Sequence, residues 1–365
     1  MAQRVILSGS SKWVSRLKKI TSSKSKIRFI DLFAGIGGIR LAFESAGCEC
    51  VFTSEWDKYA QKTYAANFGN VPFGDITKID ATEIPKFDIL TAGFPCQPFS
   101  SMGRREGFEH PTQGTLFYDV VRILDHHRPK AFLLENVAGL VTHDGGQTLN
   151  QILKSLEDLN YDVWYRVLDA ADFGVPQHRD RIYLVGLRVD TKRRPMMFDS
   201  SSDSQSLWTD ENIFSRFQFP RPRQSVVGIG KFLESRVTGH SISKHLQKVY
   251  LFKHDDGRPE IVDAASDFPV KTLVASYHKI QRLTGTFVRG GETGIRLLTA
   301  NECKAVMGFP KSFDVPVSRT QMYRQFGNSV AVPVVKAIAK QLVIAVNGIR
   351  SLPTATVRRK TLLSS

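Results

Sequence analysis

The sequence predicts an α/β fold, a mostly parallel doubly wound sheet carrying an inserted smaller domain. Three observations lead there. Apolar runs alternate with helical patterns from residue 26 to residue 187. A glycine-rich turn, Asp31-Leu-Phe-Ala-Gly-Ile-Gly-Gly38, joins the first such run to the first helical pattern. After about residue 190 the alternation stops, and helical periodicity returns only at 299–307 and 333–346. The end of the chain is therefore expected to rejoin the sheet begun by its first half.

Each element follows from its local pattern. Residues 27–33 read as the first strand and 38–46 as its helix; 50–54 and 57–67 repeat the unit. Residues 87–92, 131–134 and 181–187 are short apolar runs bounded by turn residues, as buried strands require. Helices are predicted at 116–126 and 148–159. Residues 191–225 are rich in Ser, Asp, Arg and Pro, and beyond them 269–276 and 285–288 read as short strands between turns. The resulting plan is an extension (1–26), a first part of the larger domain (27–189), the smaller domain (190–295), a completing segment (296–346) and a tail (347–365).

With 365 residues and 42% hydrophobic content the chain can bury a substantial core, and no run approaches the length needed to span a membrane. Cys48, Cys50, Cys96 and Cys303 have no disulfide or zinc spacing, and the nine histidines form no ligand pattern. A reduced, metal-free, cytosolic protein is the simplest expectation. The net charge of +15 is concentrated at the ends. Residues 1–27 hold Arg4, Lys12, Arg16, Lys18, Lys19, Lys24 and Lys26 without an acid; residues 346–365 add Arg350, Arg358, Arg359 and Lys360. Those eleven cations leave only +4 for residues 28–345. Such a chain suits a polyanionic partner, although basic ends can also be merely solvating. An organellar leader would need a long amphipathic stripe, which the N-terminal residues lack.

Chemistry is concentrated in Gly93-Phe94-Pro95-Cys96-Gln97-Pro98-Phe99-Ser100. Cys96 lies between two prolines directly after a predicted strand, so its thiol is positioned before substrate arrives, as a nucleophile needs. A lone cysteine is more often a buried structural residue; the flanking prolines and the groups below argue against that here. In the glycine turn, Gly35, Gly37 and Gly38 let a ligand approach backbone at a helix start, and Glu55 ends the next strand twenty residues after Gly35. By themselves these fit a nicotinamide dinucleotide equally well. Phe33 in the loop, the Trp56 ring beside Glu55 and the carboxylate in Gly74-Asp75-Ile76 instead suit S-adenosylmethionine, an adenosine with a sulfonium and no phosphate. Glu135-Asn136-Val137 and Gln177-His-Arg-Asp-Arg181 flank two other strands and can share one rim with Cys96. Arg179 and Arg181 can bind a phosphate or a carbonyl, although a salt-bridged surface is the ordinary explanation of such a pair.

From Arg28 to Val346 the chain resembles the cytosine-C5 DNA methyltransferases, with the closest likeness in motif detail to single-chain bacterial enzymes of restriction–modification systems. The motifs at 31–38, 93–100, 135–137, 177–181 and Gln325-Phe-Gly-Asn-Ser-Val330 occur in that family's order, and 296–310 resembles the segment after its target-recognition domain. The resemblance implies a Rossmann-like S-adenosylmethionine-dependent fold, with 190–295 as the recognition domain. It implies attack by Cys96 on C6 of a flipped-out cytosine, with Glu135 at N3, Arg179 holding the ring or thiolate and Arg181 contacting nearby backbone. It places the cofactor on Phe33, Gly35, Ile36, Gly37, Glu55, Trp56, Asp75, Ile76, Pro95, Leu116, Asn328 and Val330, and leaves S-adenosylhomocysteine as product. It places DNA on Gln97, Ser100, Arg104, Arg105, Thr272 and Leu273, with Tyr277-His-Lys-Ile-Gln-Arg282 offering groove-reading side chains. The implied partners are double-stranded DNA and a cognate restriction endonuclease without stable association. A monomer in the bacterial cytoplasm is expected. Two departures are the N-terminal extension and the variable segment 190–295, which leave the target sequence unread. Two alternatives remain at this point. An RNA-cytosine methyltransferase branch carries a Cys-Phe-Thr motif, whereas 190–295 contains no cysteine. An inactive relative need not retain Cys96, Glu135, Arg179 and Asn328 together.

Overall fold

The computed structural model describes residues 26–95, 116–189, 217–223 and 225–351. Six strands form the main sheet: β1 (Arg28–Leu32), β2 (Glu49–Ser54), β3 (Ile89–Gly93), β4 (Ala131–Val137), β5 (Tyr161–Asp169) and β6 (Asp180–Arg188). Their order is β2-β1-β3-β4-β6-β5. The pairs β1–β2, β1–β3 and β3–β4 are parallel, while β6 runs antiparallel to both β4 and β5. Only β6 opposes the common direction, so the predicted mostly parallel sheet is present.

Alternation along the strands divides the core in two. Phe29, Leu133, Tyr183 and Val185 face one cluster; Ile30, Leu32, Phe132, Leu134 and Leu184 face the other. The first face is covered by α1 (Gly38–Ser45) through Ile39 and Phe43, and by α7 (Val332–Ser351) through Val335, Ile338 and Leu342. The second is covered by α3 (Leu116–His127) and α4 (Gln147–Asp158), through Val120, Ile123, Leu124, Ile152 and Leu156. Each of these side chains contributes roughly 1.5–3 kcal/mol on full burial. Between β2 and β3, α2 (Lys58–Phe68) starts where the Asp57 carboxylate accepts the N–H groups of Tyr59 and Ala60.

The C-terminal segment does rejoin the first half, through α5 (Ala300–Met307), α6 (Arg319–Asn328) and α7. Residues 319–348 are long and apolar enough to cross a membrane by length and composition, contrary to the sequence expectation. Their apolar residues Val334, Val335, Ile338, Ala339, Leu342 and Val346 are buried in the protein core. A second, three-stranded sheet has the order β7 (Glu260–Val262), β8 (Thr286–Arg289), β9 (Ile295–Arg296). The boundary expected after residue 295 falls inside β9. That junction is held by Glu302, whose carboxylate accepts two 2.7 Å bonds from Arg296 and one from the N–H of Thr299, the cap of α5. A fourth bond, from Glu234 N–H, ties in the preceding segment. Every lone-pair direction of this buried carboxylate is thus used, as a buried ion pair requires.

Three local expectations differ from the structure. β4 extends through Glu135 and Asn136 to Val137, because Tyr183, Ile182 and Arg181 of β6 pair with those residues. β5 was not anticipated: Asp162 and Arg166 interrupt its apolar pattern, which an edge strand tolerates. Residues 269–276 form no strand. Val270 makes a single bridge to Gln177, and the other peptide groups of this stretch bond to side chains and loops.

Candidate active site

The C-terminal ends of β1, β3 and β4 lie on one rim, and β6, running the other way, begins there with Arg181 opposite Val137. After β1 the chain turns sharply: Phe33 and Gly35 both take φ near 55°. For Phe33 that is a strained backbone, of the kind found at functional sites. Gly35 has open space where a Cβ would project, so its backbone is bare to a ligand. Its N–H donates to Glu55 Oε2 (2.8 Å), while Glu55 Oε1 accepts from Asp57 N–H (2.8 Å). Burial raises the Glu55 carboxyl above its ordinary value, against the pull of these two bonds. The Trp56 ring beside it is 77% exposed, too open to be a core residue.

Asp75 caps the short turn Ile76–Lys78; its Oδ1 accepts from Thr77 N–H and Oγ1, and among the described residues Oδ2 has no hydrogen-bond partner. Ile76 is buried beneath it. Ile36 is buried in the first core cluster. From the far end of the chain, Ser329 and Val330 reach the same turn, since a Cβ on Gly38 would lie 2.9 Å from each of their side chains. Asn328 closes α6 immediately before them. The glycine turn and the 325–330 motif, nearly three hundred residues apart, are therefore one local structure. A bare backbone turn, an exposed indole and two carboxylates suit an adenosine-bearing ligand. Among the described residues no group of three or more His, Cys, Asp or Glu could hold a metal ion.

Glu135 sits on β4 opposite Gly93, and a Cβ at Gly93 would lie 3.6 Å from Glu135 Oε2. The carboxylate thus flanks the strand end that leads through Phe94 and Pro95 to Cys96. Its Oε1 lies 3.2 Å from Arg181 Nε. Burial raises the Glu135 carboxyl, and the charges of Arg181 and Arg179 oppose that rise. Arg181 also donates to Asp180 O, and its ion pair with Glu135 is not foreshadowed in the sequence. Arg179 is buried, and burial, then the Arg181 charge, push it down to about 10 against the pull of Glu135. Its guanidinium donates to Leu273 O (3.0 Å), Gly327 O (2.9 Å) and Ser329 O (2.6 Å). Arg179 is therefore a staple between three segments, and among the described residues its Nε has no partner.

Sequence reasoning missed two positioning side chains. Asn136 Nδ2 donates to Phe94 O (3.0 Å), fastening the chain just before Cys96. Gln177 accepts from Leu273 N–H (2.6 Å) and donates to Val306 O (3.0 Å). Both belong to motifs singled out above, but neither residue type signals which backbone it will meet. Thr272 is half-buried and Leu273 buried, side by side next to Arg179. The groove-reading expectation for 277–282 fails at both ends. Tyr277 is buried with its hydroxyl on Thr286 O, and Arg282 is buried, donating to Leu251 O, His254 O, Arg258 O and Asp256. Pro95 and Leu116 are the last and first described residues around the segment that carries Cys96, Gln97, Ser100, Arg104 and Arg105. Those five residues, like residues 1–25 and 352–365, lie outside the described residues.

Residues 27–343 match the family model described as C-5 cytosine-specific DNA methylase. The chain is 58% identical over 321 residues to the Type II methyltransferase M.MspI of Moraxella sp, covering 88% of this chain and 71% of that one. It is 56% identical over 315 residues to the Type II methyltransferase M.BsuFI of Bacillus subtilis, covering 86% and 72%. Among solved structures, a Spodoptera frugiperda DNMT2 variant shares the fold with a TM-score of 0.66 at 22% identity, over 88% of this chain and 99% of that one. The S. pombe Dnmt2 methyltransferase gives 0.65 at 20% identity, over 90% and 100%.

Proposed function

Because this chain belongs to the C-5 cytosine-specific DNA methylase family and is a DNA (cytosine-5-)-methyltransferase of the Type II restriction–modification kind, we propose that Cys96 and Glu135 activate one flipped-out cytosine within a short DNA sequence. The observation that carries this reading is the Glu135 carboxylate, ion-paired to Arg181 and lying against the strand end that leads to Cys96.

Cytosine C5 is a poor nucleophile until electron density is pushed onto it. The Cys96 thiolate bonds to C6, and the C5–C6 π pair moves to C5. Glu135 holds N3 through a hydrogen bond; its burial favours the proton-bearing form that N3 needs. Arg181 keeps that carboxyl in place. S-adenosylmethionine, when bound, supplies an electrophilic methyl group and leaves as S-adenosylhomocysteine. Loss of the C5 proton re-forms the double bond and expels the Cys96 sulfur. Reaching C6 requires the base to leave the stack, at a cost of roughly a few kcal/mol.

The cofactor is held by Phe33, Gly35, Ile36, Gly37, Glu55, Trp56, Asp75, Ile76, Pro95, Leu116, Asn328 and Val330. The open backbone at Gly35 and the exposed Trp56 ring support this assignment. Trp56 takes the adenine face, Glu55 the ribose and Asp75 the adenine amino group. Residues 190–295 select the sequence, with Thr272 and Leu273 nearest the target base and Gln97, Ser100, Arg104 and Arg105 binding the DNA. The enzyme works as a monomer in the bacterial cytoplasm and protects DNA from an endonuclease that recognises the same site without binding it.

The test is labelled-methyl transfer to DNA and to tRNA by wild type and Cys96→Ser. Transfer to DNA alone is expected, with loss in the serine variant and a covalent adduct between Cys96 and DNA carrying 5-fluorocytosine. Transfer to tRNA alone, or an adduct on another residue, would overturn the reading.

A further inference from the structure

His178 precedes β6 by two residues and therefore projects past the rim that carries Glu135. Its peptide is fastened on both sides to the segment bearing Thr272. Its N–H donates to Val270 O (2.8 Å), and its carbonyl accepts from Thr272 Oγ1 (2.7 Å). The backbone cannot swing, yet the side chain is 58% exposed. Nδ1 lies 2.6 Å from Asp169 Oδ2 at the end of β5. The other Asp169 oxygen accepts from the N–H groups of Arg179 (2.8 Å) and Ala171 (3.1 Å). Burial disfavours the charged carboxylate there, but these hydrogen bonds win and hold Asp169 below its ordinary value. An ionised carboxylate only accepts, so Nδ1 carries a proton. Among the described residues Nε2 has no hydrogen-bond partner.

We propose that His178 is a phosphate anchor for the DNA duplex: the Asp169-oriented imidazolium donates its Nε2–H to a backbone phosphate at the rim of the active site. The proposal rests on the DNA-methylating function above and adds a contact to it. A neutral ring with its proton on Nδ1 presents a lone pair at Nε2, which repels phosphate. The contact therefore requires a second proton, and DNA binding takes one up. The charged groups around the ring are Asp169 on β5, Asp172 in the turn after it and Asp180 at the start of β6. The neighbouring Arg179 turns its guanidinium to Leu273, Gly327 and Ser329. Among the described residues the 270–273 segment hydrogen-bonds the histidine through Val270 O and the Thr272 hydroxyl, while Lys271 reaches Leu283 O.

Phosphate contacts do not read sequence, so a mixed-sequence duplex serves as the probe. Its affinity for the full chain is measured against salt at about pH 6 and about pH 8, which bracket ordinary histidine titration. For wild type, the slope of log K on log salt should be steeper at the lower pH by ~0.9, the value for one phosphate contact. His178→Ala should remove that difference, and His178→Lys should give the steep slope at both pH values. Equal slopes for wild type and the alanine variant at the lower pH, or no rescue by lysine, would overturn the anchor. Labelled-methyl transfer by wild type is run in parallel on unmethylated genomic DNA, which contains every short sequence. Transfer with equal slopes sinks only the anchor, whereas absence of transfer sinks the function it rests on.

Discussion

Replacing Asp31 by Asn should flatten the pH dependence of stability. Asp31 lies in β1 with no exposed surface; Oδ1 accepts from Thr91 Oγ1 (2.9 Å), and Oδ2 has no partner. Burial raises its carboxyl from 3.8 to about 7, against the Thr91 bond and the Arg40 charge. Between those values the folded chain holds a proton that the unfolded chain has released. The unfolded state then binds fewer protons, so stability falls as pH rises through this window and levels off above it. From about pH 5 to 7 the slope covers two units at ~1.4 kcal/mol each, or about 3 kcal/mol. Asn has the same shape and no proton to lose. Glu55 and Glu135 are also raised by burial and add the same sign of slope, but both are present in each protein and cancel in the difference. Urea unfolding of the two proteins at about pH 5 and pH 8 measures it directly. The variant should gain on wild type by about 3 kcal/mol over that interval. A difference that does not change with pH would refute the claim that Asp31 ionises at a cost inside the sheet.

Two further expectations test the site. Arg179→Ala should destabilise the protein by about 3–5 kcal/mol in urea unfolding, since three carbonyls from two remote segments lose their donor. Arg179→Lys should recover less than half of that, because one ammonium cannot span the three acceptors; a loss below about 1 kcal/mol for alanine would show that they find other donors. Trp56→Ala should leave the melting temperature unchanged, as the ring is exposed, while weakening S-adenosylmethionine binding in calorimetry by about 1–3 kcal/mol. Unchanged affinity would remove Trp56 from the adenine site.

The alternation of strand and helix patterns, the glycine turn and the return of helical periodicity near the C-terminus were legible because each depends on residues close together in sequence. Cys96, singled out by its two prolines, lies outside the described residues, and Glu135, expected just after a strand, lies inside β4 opposite Gly93. Local pattern was insufficient where partners are remote. The 269–276 stretch has strand-like residues, but the groups that take up its backbone bonds lie at Pro176, Gln177, His178 and Arg179. β5 stands despite its charges because β6 lies beside it. Arg179 could be named as a functional arginine from its motif, yet its acceptors are 94, 148 and 150 residues away. Tyr277 and Arg282 have the chemistry of groove readers, but tertiary packing turns both inward. Residue type and short-range periodicity determined which chemical groups the chain has and which elements carry them. Which atoms meet, and therefore which charges are buried and which carboxyls hold protons, was decided by long-range contacts that exist only once the sheet and its two covering layers close.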